Sequence, residues 1–403
     1  MSIDLLSDMR LTHRILALFT LLSLISLALN MPARAQISDS ARVSVFTIYP
    51  GEAIYSLWGH SALRIWDPVT GTDISYNYGT FDFNNPLSFI ARFAYGKLDY
   101  RLSLENSPAR VEYSWFTERR GVVEQQLNLT PSERQTLYQY LSTNALPGNR
   151  TYRYDFLYDN CATRIRDALE YALQAPLADS ISTGVTFRDL IRPYVHARPD
   201  LDMAINLAMG LPVDRFASQR DLALLPIELQ ALLQNAQTGT GAPLVLVSDT
   251  LFGSPVTPEI RRSLSLPTGI AWLIFAVAFA YFPRDFREPR QRIFDLVFLS
   301  TVTLIGLLVA FFWLVSLHAI TRPNLRIMWA WPLHIVPLFL SRRSFVTVYW
   351  WCAAASAVVF ALGSAWWPQT SPAIALPLAL AVAVRCINLA RVPRTGFEPV
   401  LPA

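Results

Sequence analysis

The sequence predicts an α+β domain, an antiparallel sheet with one cysteine-bearing helix, followed by a five-helix transmembrane domain. Three observations carry this. Short β-branched and aromatic runs, punctuated by Pro, Gly and Asp, fill residues 43–129. A polar stretch, Asp155-Phe-Leu-Tyr-Asp-Asn160, leads into Cys161, after which Ile165, Leu169, Ala172 and Leu173 recur at helical spacing. From Leu264 onward, five apolar segments each approach the roughly 20 residues that cross a bilayer.

Taken in order, Arg10 and Arg14 precede an apolar run from Ile15 to Leu29 and then Ala33-Arg-Ala35. A charged start, a short apolar run and an A-x-A site make residues 1–35 a secretory signal, with an uncleaved anchor as the alternative. No cysteine closely follows the run, so the chain is not itself a lipoprotein by that route.

The exported domain, 36–262, opens on Val43–Tyr49, a strand ended by Pro50-Gly51. Leu57–Trp66 and Asp73–Tyr78 flank Asp67-Pro-Val-Thr-Gly-Thr72, a hairpin signal with Pro and Gly in the turn. Lys97–Leu104 and Val122–Leu129 alternate as two further strands. Thr130-Pro-Ser-Glu133 is a capping box that opens a helix. After the cysteine helix, Phe187–Ala197, Leu201–Met209 and Gln219–Ala236 read as helices whose role the sequence leaves open.

The five spans, within 263–391, are Leu264–Phe282, Ile293–Ile320, Leu325–Leu340, Phe345–Trp367 and Pro372–Ala390, with a cytoplasmic tail at 392–403. Arg284, Arg287, Arg290 and Arg292 join the first pair, Arg342 and Arg343 the third and fourth, and Arg391 and Arg394 follow the fifth. Positive charge inside puts residues 36–262 outside the cytoplasm. A multi-pass protein of the bacterial inner (cytoplasmic) membrane, with its N-terminal domain in the periplasm, is the expected arrangement. With 34 Lys and Arg against 30 Asp and Glu, the net charge of +4 is largely this loop bias, and no nucleic-acid partner is expected.

Of the three cysteines, Cys352 and Cys386 fall in the spans, so Cys161 has no disulfide partner in the exported domain and its thiol needs an explanation. At the first turn of a helix, capped by Asp159 or Asn160, the helix dipole favours a thiolate, with Arg164 and Arg166 nearby. That is where a nucleophile would stand. A small buried residue sealing the helix against the sheet is the structural alternative. The natural base is His60, after Gly59 on a strand; His13 lies in the signal, His318 and His334 in the membrane part, and His196 among arginines. Strand-borne imidazole and helix-capping thiol make a papain-type dyad in reverse chain order. One cysteine and one or two histidines lack any metal-ligand spacing, so no metal and no cofactor is expected.

Ser56-Leu-Trp-Gly-His-Ser-Ala-Leu-Arg64, Tyr76-Asn-Tyr-Gly-Thr-Phe-Asp-Phe83, Arg92-Phe-Ala-Tyr-Gly-Lys-Leu98 and Tyr154-Asp-Phe-Leu-Tyr-Asp-Asn-Cys-Ala-Thr-Arg164 resemble the Lnb-type N-terminal periplasmic domain family. The likeness covers most of 42–236 and continues into His318 and Asn324-Leu-Arg-Ile-Met-Trp-Ala-Trp-Pro332. The family's namesake is a bacterial lipoprotein intramolecular transacylase, which moves an acyl chain onto the N-terminal cysteine amine of a lipoprotein. The domain is also similar to circularly permuted papain-like enzymes such as the lecithin:retinol acyltransferase group. The resemblance therefore implies a permuted papain-like thiol-enzyme domain, with Cys161 as nucleophile and His60 as base. The Cys161 N–H would be one oxyanion donor, and Asn160 or Trp58 the second. Asn77, Asp67 and Asp82 are the candidates for orienting His60. Trp58 and Tyr78 are expected to contact substrate, as are His318 and Asn324 in the outer loop.

The implied activity is acyl transfer on lipoproteins or phospholipids, with a lipid-linked substrate and the membrane as partners. A cysteine hydrolase of another envelope substrate and a non-catalytic envelope sensor are the alternatives. Five membrane segments disfavour the hydrolase, since cutting a cell-wall peptide requires no lipid-facing cavity. The presence of both dyad residues disfavours the sensor.

Overall fold

The computed structural model describes residues 36–81, 85–196, 198–253, 266–282, 289–340 and 344–391, together with Thr20. Apart from Thr20, the expected signal at 1–35 lies outside these residues, as do the tail 392–403, Asp82, Arg284, Arg287, Arg342 and Arg343.

Seven strands form one sheet: β1 (Arg42–Ile48), β2 (His60–Asp67), β3 (Thr72–Thr80), β4 (Asp99–Asn106), β5 (Val122–Leu127), β6 (Thr151–Arg153) and β9 (Val245–Phe252). Their order is β6-β4-β3-β2-β1-β5-β9, and every neighbouring pair is antiparallel. Two short strands, β7 (Ser182–Thr186) and β8 (Phe216–Ser218), pair apart from it. Alternation decides the faces. Val43, Val45, Leu63, Ile65, Tyr76 and Tyr78 point to the main core, while Phe46, Ile48 and Val122 seal a smaller cluster on the opposite face. The 67–72 turn is held by Asp67, whose carboxylate accepts from Ser38 Oγ at 2.6 Å and from the Val69 N–H at 3.0 Å.

The main core is closed by three helices. The first is α2 (Pro131–Ala145), through Leu137 and Leu141. Its capping box is complete: Thr130 Oγ1 accepts from the Glu133 N–H, and Glu133 accepts from the Thr130 N–H at 2.7 Å. The others are α3 (Cys161–Leu173), through Ile165, Ala168 and Leu169, and α5 (Pro226–Asn235), through Leu229 and Leu233. The expected helix 219–236 is divided, because Pro226 starts a new one after the 3₁₀ turn Arg220–Leu224. One helix, α1 (Pro86–Tyr95), has no counterpart in the sequence reading. Another, α4 (Pro199–Ala208), precedes the segment that meets the membrane part.

That membrane part holds α6 (Leu266–Ala280), α7 (Pro289–Leu314), α8 (Ser344–Gly363) and α9 (Ala375–Arg391). Among the described residues, α7 and α8, at 26 and 20 residues, are long and apolar enough to cross a bilayer. Of the five expected segments, the third is not a continuous helix. Leu325–Leu340 consists of a 3₁₀ turn, Leu325–Met328, an irregular stretch, and a single helical turn, Val336–Phe339. Pro332 and Pro337 remove backbone donors there. Broken backbone at membrane depth needs other partners. Thr303 Oγ1 accepts from the Ile335 N–H at 3.0 Å, and Ser356 Oγ donates to Met328 O at 2.6 Å.

The region after α4 is a strut. Gly210 N–H donates to Ile320 O at 2.8 Å, Leu211 N–H to Pro323 O at 2.8 Å, and Gln369 Nε2 to Met209 O at 3.1 Å. The Arg188–Asp214 pair, at 2.8 Å and nearly buried, stiffens it from within.

Candidate active site

Cys161 is the first residue of α3. Asn160 caps that helix: its Oδ1 accepts from the Ala162 and Thr163 N–H groups at 2.9 and 3.0 Å. The Asn160 Nδ2 is equally committed, donating to Phe156 O at 2.8 Å and Leu224 O at 2.9 Å. With every side-chain polar atom in use, Asn160 positions Cys161 and has no N–H to offer an oxyanion. The Trp58 Nε1, by contrast, is buried with no hydrogen-bond partner among the described residues, while its ring packs edge-on against Phe156 at 4.9 Å.

His60 begins β2, opposite Ile48 of β1. It meets Cys161 at a gap in β3. The β3–β4 register shifts between Asn77 and Thr80, a bulge that contains Gly79 at φ +99°. A Cβ on Gly79 would stand 3.7 Å from His60 Cε1 and 3.8 Å from Cys161 Cβ. The imidazole and the cysteine thus both border the place where a side chain on residue 79 would stand.

The group that orients His60 is Asn77, whose Oδ1 lies 2.5 Å from His60 Nε2. Which end of the amide faces the ring is fixed behind it. Asn77 Nδ2 donates to Glu105 Oε1 at 2.6 Å, and a carboxylate only accepts, so Oδ1 must be the atom turned to His60. Nε2 then carries the proton and Nδ1 keeps its lone pair, the tautomer a general base needs. Glu105 is held by Ser103 Oγ at 2.9 Å and by Arg110 at 3.8 Å. Of the other two candidates for this role, Asp67 is occupied in its turn and Asp82 lies outside the described residues.

The electrostatics correct one expectation. Burial pushes the Cys161 thiol up, against the N–H groups of Ser61, Ala162 and Cys161 itself and the charge of Arg120, all of which lower it. Burial likewise pushes His60 down to about 3, helped by the charges of Arg110 and Arg120 and opposed by the bond to Asn77. Both residues keep a partial opening to solvent while protein surrounds them. The resting pair is therefore a neutral thiol beside a neutral imidazole. The expected activation by Arg164 and Arg166 is absent. Arg164 is paired with Asp159 at 2.5 Å and stacked over Tyr152, and Arg166 is paired with Asp167 at 2.7 Å.

The expected substrate contacts fare unevenly. Tyr78 is 1% exposed and lies edge-on to Tyr152 in the core, because Tyr76 and Tyr78 share the inward face of β3. Asn324 is fully buried: its Nδ2 donates to Leu207 O at 2.9 Å, and its Oδ1 accepts from Arg326 Nη1 at 3.2 Å and Gln369 Nε2 at 3.0 Å. It fastens the strut. His318 is half-buried, and its Nε2 donates to Phe93 O of α1 at 2.6 Å.

Two site residues escaped the sequence reading. Gly79, inside a strand pattern, carried the signal of a bulge. Glu105 carried none, since its approach to Asn77 depends on the β3–β4 register. Among the described residues no group of three His, Cys, Asp or Glu side chains could hold a metal ion.

A family model of the Lnb N-terminal periplasmic domain matches residues 30–193, and a model of the Lnb transmembrane domain matches residues 259–394. No curated protein and no solved structure matches the chain.

Proposed function

From the premise that the chain belongs to the Lnb family in both of its halves, we propose that it is a thiol-dependent acyltransferase acting on lipid-linked substrates. The family makes it a membrane protein with a periplasmic domain. The proposal adds a bacterial inner-membrane, multi-pass setting, and lipoproteins or phospholipids as acyl donors. The observation that carries it is the space at Gly79, bordered by His60 and Cys161, with Asn77 holding the imidazole by Nε2.

His60 Nδ1 takes the proton from Cys161 Sγ as the sulfur attacks the ester carbonyl. The developing oxyanion is met by the Cys161 N–H, at the first turn of α3 and without an intrahelical acceptor, and by the Trp58 indole N–H. Collapse breaks the ester C–O bond, and His60 returns its proton to the leaving alkoxide. The product is a Cys161 thioester. An amine acceptor then attacks that thioester and gives its proton to His60. As the C–S bond breaks, the proton returns to sulfur, an amide has formed, and the pair is neutral again.

Neutrality at rest suits such a cycle, because an uncharged pair survives burial without a counter-ion. The thiolate forms only with a substrate carbonyl in place to receive it.

The test is mass spectrometry of lipoprotein N-termini in cells with the wild-type gene, without it, and with Cys161→Ala or His60→Ala. An acyl group that disappears in all three deficient strains supports transfer. The double variant should be no worse than either single one. Unchanged N-termini and phospholipids in the Cys161→Ala strain would overturn the proposal.

A further inference from the structure

Helix α1 presents an exposed apolar stripe. Leu87, Ile90 and Phe93, spaced three apart, are 82%, 59% and 44% exposed. An apolar face of this kind on a monomer marks a surface that meets something. What it meets follows from how the helix is tied down.

The last carbonyls of a helix lack intrahelical donors. In α1 Arg92 O is met locally by the Lys97 N–H, while Phe93, Ala94 and Tyr95 are met by the residues just beyond Leu314, the last residue of the spanning helix α7. Ser316 Oγ donates to Ala94 O at 2.8 Å, the Leu317 N–H to Tyr95 O at 2.9 Å, and His318 Nε2 to Phe93 O at 2.6 Å. Gly96 makes the approach possible, since a Cβ there would stand 3.1 Å from His318 N. The end of α1 therefore sits against the C-terminal end of α7. Close to it, the last residue of the span, Leu314, and the residues just beyond it, Val315 and Leu317, are also apolar and 74%, 48% and 38% exposed.

The flank of α1 has the complementary character. A cleft of about 360 Å³ is lined there by Ala91, Arg92, Tyr95, Lys97, Asp99 and Arg153. Three cations against one carboxylate, beside a helix tied to the end of a spanning one, form a site for an anion.

We propose that α1 is an interfacial helix: its Leu87, Ile90 and Phe93 face lies in the outer leaflet of the bilayer that α7 crosses, and the Arg92–Lys97–Arg153 cleft takes the phosphate of an anionic phospholipid. The helix also leads to the site. Phe89 of α1 packs on Phe81 at 5.1 Å, and Phe81, two residues after Gly79, packs on Tyr100 at 5.2 Å. The membrane position of α1 stands without the chemistry. That the helix delivers acyl donors to Cys161 rests on the proposed function.

The test uses the full chain in lipid vesicles, carrying Cys161→Ser and Cys352→Ser, with an environment-sensitive fluorophore on Ile90→Cys and, in a parallel sample, on Ser88→Cys. Lipids brominated along the acyl chain should quench the label at 90 and spare that at 88. Equal, water-like emission at both positions overturns the docking. Brominated phosphatidylglycerol should accumulate at position 90 at least about fivefold over brominated phosphatidylcholine. Arg92→Gln/Lys97→Gln/Arg153→Gln should abolish that preference and leave the quenching depth unchanged. Equal quenching by the two lipids in the parent overturns the head-group site. Because this readout needs no turnover, quenching at 90 alongside a wild-type chain that transfers no acyl group would sink the proposed function alone. Transfer without quenching would sink the docking alone.

Discussion

Asn77→Ala probes the least obvious member of the site. It deletes the acceptor 2.5 Å from His60 Nε2 and the donor 2.6 Å from Glu105. While the imidazole is neutral, that acceptor is worth about 1 kcal/mol net; once His60 has taken the thiol proton the bond is charge-assisted and worth about 1.5–3 kcal/mol. Only the difference between these states enters the barrier. A second loss comes from the tautomer. Without Asn77 the ring divides between its two neutral forms, and an even division removes a factor of about two in competent enzyme, roughly 0.4 kcal/mol. Together these give about 1–2.5 kcal/mol, or a fall of roughly 5- to 70-fold in kcat with little change in KM. Glu105→Ala frees the Asn77 amide to turn its NH₂ toward the ring, so it should produce a loss of the same kind, and the double variant should be no worse than Asn77→Ala. The assay pairs acyl-transfer kinetics with ¹⁵N NMR of the imidazoles, which is practicable because the chain has only five histidines. The wild type should show a protonated Nε2 and a pyridine-like Nδ1 on His60, and Asn77→Ala a mixture. A wild-type His60 protonated on Nδ1, or a variant in which KM alone changes, would refute the reasoning.

Three further outcomes follow from the same structure. Because burial raises the Cys161 thiol and holds His60 neutral down to about 3, alkylation of Cys161 by iodoacetamide should be slow at pH 7 and climb with pH past the ordinary thiol range near 8.5. A rate plateau already present between pH 5 and 7 would instead reveal a resting thiolate–imidazolium pair, and a mass-spectrometric labelling series decides between the two. Asn324→Ala strands Leu207 O, at a cost of about 1–3 kcal/mol, and removes one of two acceptors from Arg326 Nη1 and from Gln369 Nε2, which keep Met209 O, so the detergent-solubilised chain should melt at a lower temperature. Turnover of soluble and membrane-embedded substrates should then fall together, and a loss confined to the embedded one would restore Asn324 as a substrate contact. Asp295→Ala leaves Arg385, now held by two bonds at 2.6 and 2.7 Å, as an unpaired charge between α7 and α9; a destabilisation of about 3–5 kcal/mol is expected, and unaltered thermal or denaturant unfolding would contradict it.

What could be read in advance divides along the range of the interactions involved. The β1–β3 strands, the Thr130 capping box and the start of α3 at Cys161 were legible because alternation, capping and helical period are properties of a few neighbouring residues. The site was legible only in outline. Asn77 stood among three candidates, and its selection depends on β3 and β4 pairing so that Asn77 and Glu105 come to share a face. The third membrane segment failed for a related reason. Leu325–Leu340 is apolar enough to suggest a helix, but apolar composition records burial, and Trp329 and Ala330 are buried by neighbouring helices in a broken chain. Asn324 gives the converse lesson. A polar residue at membrane depth must find a partner, and the sequence suggested a ligand; the last turn of α4 brings the carbonyl of Leu207 to it first. The strut after α4 uses Gly210, whose missing side chain lets Thr321 and Pro323 close on the backbone. Periplasmic and membrane parts are therefore joined by backbone hydrogen bonds at two places, the strut after α4 and the end of α1.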